Sequence, residues 1–289
     1  MPHRGAALGA VMGLHMDALV DFVRRHDPDR FLTTLFAPAA RRPALLALYA
    51  FNHELARARE AVHEPALALI RLHWWREVVQ GAARKHEVAT PLAAALAEGA
   101  LARDDLLALI DAREVEADPC IPTTDAWLAY LRGTAGGLMV AAARSLGEAT
   151  PEALRDLGAA YGAAGVLRAA PVLARQGRCL LPADALAAHG QSPEAVSEAM
   201  IRAPGAPEVR AVLGALAASG MALLVGVPRR LARPVIAAAL PAVLARRDLA
   251  RILALRDVAR PDRVRVAPPL VRGIGDRLAV VLAAAWRRV

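Results

Sequence analysis

Leu45-Leu46-Ala47-Leu48-Tyr49-Ala50-Phe51-Asn52-His53-Glu54-Leu55-Ala56-Arg57-Ala58-Arg59-Glu60 is the stretch that decides the fold. Its large apolar side chains, Leu45, Leu46, Leu48, Tyr49, Phe51 and Leu55, recur at steps of three and four, the period of a helix with one buried face. The rest of the chain supports helix over sheet. It is 56% hydrophobic, with Ala and Leu dominant, and only 4% aromatic, so the β-branched and aromatic runs of strands are missing.

Helix punctuation extends this reading along the chain. Thr90-Pro91, Thr150-Pro151-Glu152 and Ser192-Pro193-Glu194 each place a capping hydroxyl before a proline suited to the first helical position. Thr124-Asp125 opens a helix running from Ala126 to Leu146, and Gly147, Gly177 and Gly190 mark stops. Beyond Met221, breaks at Pro228, Pro234, Pro241 and Pro268-Pro269 predict several short helices. No repeat or low-complexity linker divides the chain. Residues 16–289 therefore read as one all-α domain, large enough to bury a substantial core. Residues 1–15 read as an N-terminal extension, either disordered or lying upstream of a true start at Met16. No uninterrupted apolar run reaches the length of a clear bilayer-spanning helix.

Net charge is +8, and its distribution is uneven. From Arg229 onward there are fourteen Arg against four Asp, a local balance of +10, so the remainder of the chain is slightly negative. Such a region suits a peripheral contact with anionic lipid or a partner surface, or else a set of solvated helix faces. Nucleic acid is disfavoured, because aromatic stacking platforms do not alternate with the arginines. Cys120 and Cys179 fit no metal-binding spacing and predict reduced thiols in a cytoplasmic protein.

A second stretch, Leu167-Arg168-Ala169-Ala170-Pro171-Val172-Leu173-Ala174-Arg175-Gln176-Gly177-Arg178, is followed by Leu181-Pro182-Ala183-Asp184 and His189-Gly190. Together with Tyr49 to Glu60, with Phe31 to Pro38, and with Tyr130-Leu131-Arg132-Gly133-Thr134-Ala135-Gly136-Gly137, it resembles the squalene/phytoene synthase family over roughly residues 20 to 200. The resemblance implies an all-α helical bundle of the isoprenoid synthase type. In its enzymes, two aspartate-bearing helices face each other and hold Mg²⁺ against a substrate diphosphate.

Carried over to this chain, the first acidic motif falls on Ala56, Arg57 and Glu60, and the second on Ala169 and Leu173. Only Glu60 keeps a carboxylate, so a metal site is not expected. The basic positions survive as Arg168, Arg175 and Arg178. With Arg57 and Tyr130 these are the candidates for binding an anion or substrate; the alternative is that the arginines pair with Glu54 and Glu60 across the bundle. Gly136 and Gly137 allow close helix packing, while Gly162, Ala163, Ala164 and Gly165 leave room for either a prenyl chain or another helix.

Ala50 to Ala56, Leu167 to Pro171 and Trp74-Trp75-Arg76 are similar to a branch without the aspartates, the mitochondrial complex I assembly factors and their bacterial relatives. That likeness implies a non-catalytic synthase-like scaffold. Its partners would be complex I subunits or assembly intermediates, and it would sit in the cytoplasm or peripherally on the inner membrane. The competing expectations are a prenyltransferase joining two prenyl diphosphates with Mg²⁺, and a non-catalytic isoprenoid- or lipid-binding protein. Weaker signals read structurally. Asp27-Pro28-Asp29 look like charges at a helix start, and Glu60-Ala61-Val62-His63 lacks the second Glu-x-x-His of a di-iron site.

Overall fold

The computed structural model describes residues 16–60, 64–226, 230–256 and 272–289, and these form helices with no strand. The N-terminal extension, His63, Pro228 and the Pro268-Pro269 pair lie outside the described residues. The chain runs through α1 (16–26), α2 (Pro28–Thr34), α3 (Arg42–Glu60), α4 (Pro65–Gln80), α5 (Ala89–Ala97), α6 (Arg103–Arg113) and α7 (Thr124–Leu131). It continues through α8 (Gly137–Ser145), α9 (Arg155–Arg175), α10 (Ala183–Ala187), α11 (Pro193–Arg202), α12 (Pro207–Ala222), α13 (Ile236–Ala239), α14 (Pro241–Arg256) and α15 (Ile274–Trp286).

All three glycine stops and one of the four caps behave as the sequence predicts. Ser192 accepts from the Ala195 N–H, and Gly147, Gly177 and Gly190 all take the left-handed backbone that ends a helix without a Cβ clash. Two starts differ. The cap of α7 is Thr123, whose hydroxyl accepts from Ala126 N at 3.1 Å, while the Thr124 hydroxyl donates to Asp184 at 2.9 Å and ties α7 to α10. Thr90 is not a cap, because α5 already begins at Ala89.

The helix expected from Ala126 to Leu146 is two helices joined by a π-helical turn, Arg132–Gly136. Small residues explain the turn's close crossing with α9. A Cβ on Gly136 would meet Arg155 O at 2.7 Å, and one on Gly158 would meet Ala135 O at 2.5 Å. Gly162 is equally closed, 2.8 Å from the Ala135 Cβ, but Gly165 faces open space. Residues 151–175 are long and apolar enough by length and composition to cross a membrane, although charged residues interrupt the run; most of the apolar stretch is buried, so here it serves as a core helix.

Two apolar clusters make up the interior. One gathers Leu45, Leu48, Phe51, Leu92 and Ile110 from α3, α5 and α6 with Leu240 just after α13; the other gathers Trp127, Ala160, Ala163, Leu216 and Leu249 from α7, α9, α12 and α14. Trp75 packs edge-on against Phe51 at 5.4 Å, so the Trp74-Trp75 pair belongs largely to the bundle. A cavity that takes in Tyr130 and Leu131 of the second cluster lies beside it.

Candidate functional site

The cavity measures about 420 Å³ and is lined by α3, α9, the α1–α2 junction and the end of α7. Helical spacing puts Ala56 and Glu60 of α3, and Ala169 and Leu173 of α9, on faces that both line it. The positions matching the family's acids are therefore brought together, as the resemblance implies, but one carboxylate stands among them. Arg57 is exposed and does not line the cavity. Among the described residues, no cluster of three or more His, Cys, Asp or Glu side chains could hold a metal ion. The donor set does not fit Mg²⁺, which needs several oxygens in close octahedral array.

Arg168, Arg178 and Tyr130 line the cavity, whereas Arg175 is exposed on the far side of the α9 terminus. The pairing of these arginines differs from the sequence expectation. Their partners are neither Glu54 nor Glu60. Arg168 Nη1 lies 3.3 Å from Asp248 Oδ2 and 3.9 Å from Asp29 Oδ2, and Arg178 Nη2 donates to Glu116 Oε2 at 3.1 Å. Glu116 also takes Arg113 at 2.6 Å and the Tyr130 hydroxyl at 2.7 Å. Burial first, and then the Glu116 charge beside it, hold the Tyr130 phenol far above its ordinary value, so it stays protonated.

A second network closes the other wall. Arg272, just before α15, donates through Nε and Nη2 to Asp29 and through Nη1 to both Asp248 oxygens at 2.7 Å. Tyr161 donates to Asp29 at 3.0 Å. Burial alone would raise the Asp29 carboxyl, but the Arg272 and Arg168 guanidiniums together with Tyr161 hold it below the usual range. Asp29 is thus a buried anchor rather than a simple helix-start charge. Asp27 does keep that role, accepting from the Arg30 N–H at 3.1 Å. Its other oxygen takes the Arg30 side chain at 2.7 Å, and that guanidinium lies over the Tyr161 ring at 4.8 Å.

The cavity's cations are therefore already engaged by carboxylates, with Arg113 and Arg178 sharing Glu116. Arg30, Arg113, Arg168 and Arg178 are matched in the lining by Asp27, Asp29, Glu60 and Glu116, and each of these arginines has a carboxylate partner. His53, stacked on His26 at 4.6 Å, adds no positive charge near neutral pH: burial first, then His26 and Arg57, lower it to about 4. A diphosphate entering here would have to break existing ion pairs to find a counter-charge.

Asp248, Arg272, Arg113 and Glu116 escaped the sequence reading, which took Asp29 only as a helix-start charge. Asp29 and Arg272 stand 243 positions apart, and no local spacing signals such a pairing.

The squalene/phytoene synthase family profile matches residues 23–269. Complex I assembly factor 6 of Mus musculus is 29% identical over 192 residues, 64% of this chain and 57% of that protein. The Homo sapiens protein of the same name is 28% identical over 183 residues, 61% of this chain and 55% of its own length. The chain thus spans little more than half the length of these relatives. In structure it resembles the squalene synthase HpnC of Alicyclobacillus acidocaldarius (TM-score 0.59, 19% identity, 82% of this chain and 92% of that one). A dehydrosqualene synthase superposes with a TM-score of 0.71 at 13% identity, covering 94% of this chain and 96% of that one, which identifies the fold alone. With the family profile spanning most of its length, the chain belongs to the squalene/phytoene synthase family.

Proposed function

We propose that this chain is a non-catalytic synthase-like protein acting as an assembly or scaffold factor for respiratory complex I. The observation that carries the non-catalytic part is the paired change on α3 and α9. Ala56, Ala169 and Leu173 leave Glu60 as the one carboxylate among the family's acid positions that line the cavity, and the lining arginines are engaged by Asp29, Asp248, Asp27 and Glu116. No metal cofactor is part of this reading. The assembly role rests on the named relatives, complex I assembly factors of mouse and human. The partners would be complex I subunits or intermediates, met on the cytoplasmic side, where Cys120 and Cys179 remain free thiols.

The test is affinity purification of a tagged copy expressed at native level in its own organism. Complex I subunits should accompany it, and their absence under conditions that retain other membrane-complex partners would contradict the assembly role.

The prenyltransferase alternative asks Arg57, Arg59, Arg168 and Arg175 to clamp a diphosphate together, and of these only Arg168 lines the cavity. A carrier of an uncharged isoprenoid is the better second reading. The 420 Å³ cavity is charge-balanced, and Gly165 keeps one wall open. Native mass spectrometry separates the two non-catalytic readings: a co-purifying polyprenol or quinone supports the carrier, and an empty protein supports the scaffold.

A further inference from the structure

The helix α15 is amphipathic with its apolar face turned outward. Ile274, Leu278, Val281, Leu282 and Trp286 are exposed, by 80% at Ile274 and 65% at Trp286. At 100° per residue they occupy one arc of about 140° along a helix of roughly 20 Å. The opposite face is fixed to the bundle. Val280 is fully buried, and Asp276 is held by Arg247 at 2.6 Å and by Arg251. The carbonyl of Arg287 accepts from Leu231 N at 3.1 Å and pins the far end. The outward face is therefore part of a docked, ordered helix.

Its charges select the partner. Asp276 is the helix's one acid, and it is buried and neutralised on the inner side. Exposed Arg277 borders the apolar arc, and Arg287 and Arg288 follow Trp286 at the helix end. The sequence from Arg229 onward carries +10, more than the whole chain's +8. An apolar arc ended by Trp and flanked by Arg, with no exposed acid, has the composition of a helix lying at a lipid–water interface. Thirteen residues are too few to span the hydrocarbon core.

We propose that α15 is an interfacial helix that docks this protein on an anionic lipid surface. Ile274, Leu278, Val281, Leu282 and Trp286 insert between headgroups, and Arg277, Arg287 and Arg288 meet lipid phosphates. This goes beyond the assembly role and does not rest on it. Vesicle binding is read without any protein partner, so failure of either reading leaves the other standing.

The experiment is flotation of the full chain with phosphatidylcholine vesicles, with and without phosphatidylglycerol. The wild type binds the anionic vesicles and is released as salt rises. Leu278→Glu and Trp286→Ser each weaken binding by about tenfold or more, the scale set by removing one large side chain from lipid. Arg277→Glu and Arg288→Glu weaken it only on anionic vesicles. Circular dichroism and melting curves verify that each variant is folded, which their exposed positions favour. Absence of binding to anionic vesicles overturns the proposal, as does equal binding by folded Leu278→Glu and Trp286→Ser. A dimer in sedimentation that Leu278→Glu dissociates also overturns it, by assigning the face to a second copy of the chain.

Discussion

Replacing Arg272 by Met removes the group that joins the first and last parts of the bundle. The Arg272 guanidinium is 7% exposed and binds two carboxylates, Asp29 at 8% and Asp248 at 1%. Met keeps much of the aliphatic volume and deletes the charge. Asp29 then retains Tyr161 and the distant Arg168, while Asp248 retains Arg168 and Arg251. Breaking a buried pair by removing one partner costs about 3–5 kcal/mol, because an under-compensated charge stays inside. The remaining partners argue for the lower half of that range. At roughly 2 °C per kcal/mol for a chain of this size, the melting temperature should fall by roughly 6–8 °C. Differential scanning calorimetry at neutral pH reads it directly. Adding Asp29→Asn should restore part of the loss, giving a coupling energy of about 1 kcal/mol or more in the double-mutant cycle. An Arg272→Met protein within about 1 kcal/mol of wild type would refute the claim that this network holds α15 and α14 to α2.

His53 should titrate in the folded protein at about 4, measured by NMR of its ring protons. Because this folded value lies below the unfolded one, the contribution of neutral His53 is complete above about pH 6.5 and is lost as pH falls towards 4. His53 is only partly buried, so the loss is roughly 1–2 kcal/mol after allowance for screening, and a midpoint near 6.5 would contradict the assignment. Gly158→Ala should destabilise by about 1–3 kcal/mol in urea unfolding, since its Cβ would lie 2.5 Å from Ala135 O at the crossing of α9 with the π turn. A neutral effect would show that the crossing can relax. Millimolar Mg²⁺ should leave the wild-type melting temperature unchanged, while Ala56→Asp combined with Ala169→Asp and Leu173→Asp should make it Mg²⁺-sensitive. A wild-type protein stabilised by Mg²⁺ would place a metal where Ala56, Ala169 and Leu173 give no ligand.

The all-α fold was legible because its signals are local. The three- and four-residue periodicity of α3 and the glycine stops describe segments that stabilise themselves through nearby atoms. The π turn at Arg132–Gly136 was not legible, since Gly133 and Gly136 read equally well inside a continuous helix; only the close approach of Gly158 from α9 explains the irregularity. The cavity was half legible. Motif spacing placed Ala56, Glu60, Ala169 and Leu173 together, and that follows from helix geometry. The fate of the arginines did not follow. Arg168 and Arg178 find Asp248 and Glu116 through tertiary packing, and Arg57 and Arg175 point to solvent because their helix faces turn away from the cavity. The basic C-terminal region was visible only as a sum of charges. The structure divides it between ties to carboxylates, such as buried Arg272 and half-buried Arg251, and exposed cations such as Arg277.

The central claim is that a synthase cavity persists without the acids that prenyl-diphosphate chemistry uses. Purified protein incubated with farnesyl or geranylgeranyl diphosphate and Mg²⁺ or Mn²⁺, with the extracted products resolved by mass, addresses it most directly. The account predicts intact diphosphate and no condensed hydrocarbon or presqualene-type product. Turnover at an ordinary enzyme rate, about 1 s⁻¹ or faster, abolished by Arg168→Ala in a protein that remains folded, would contradict it.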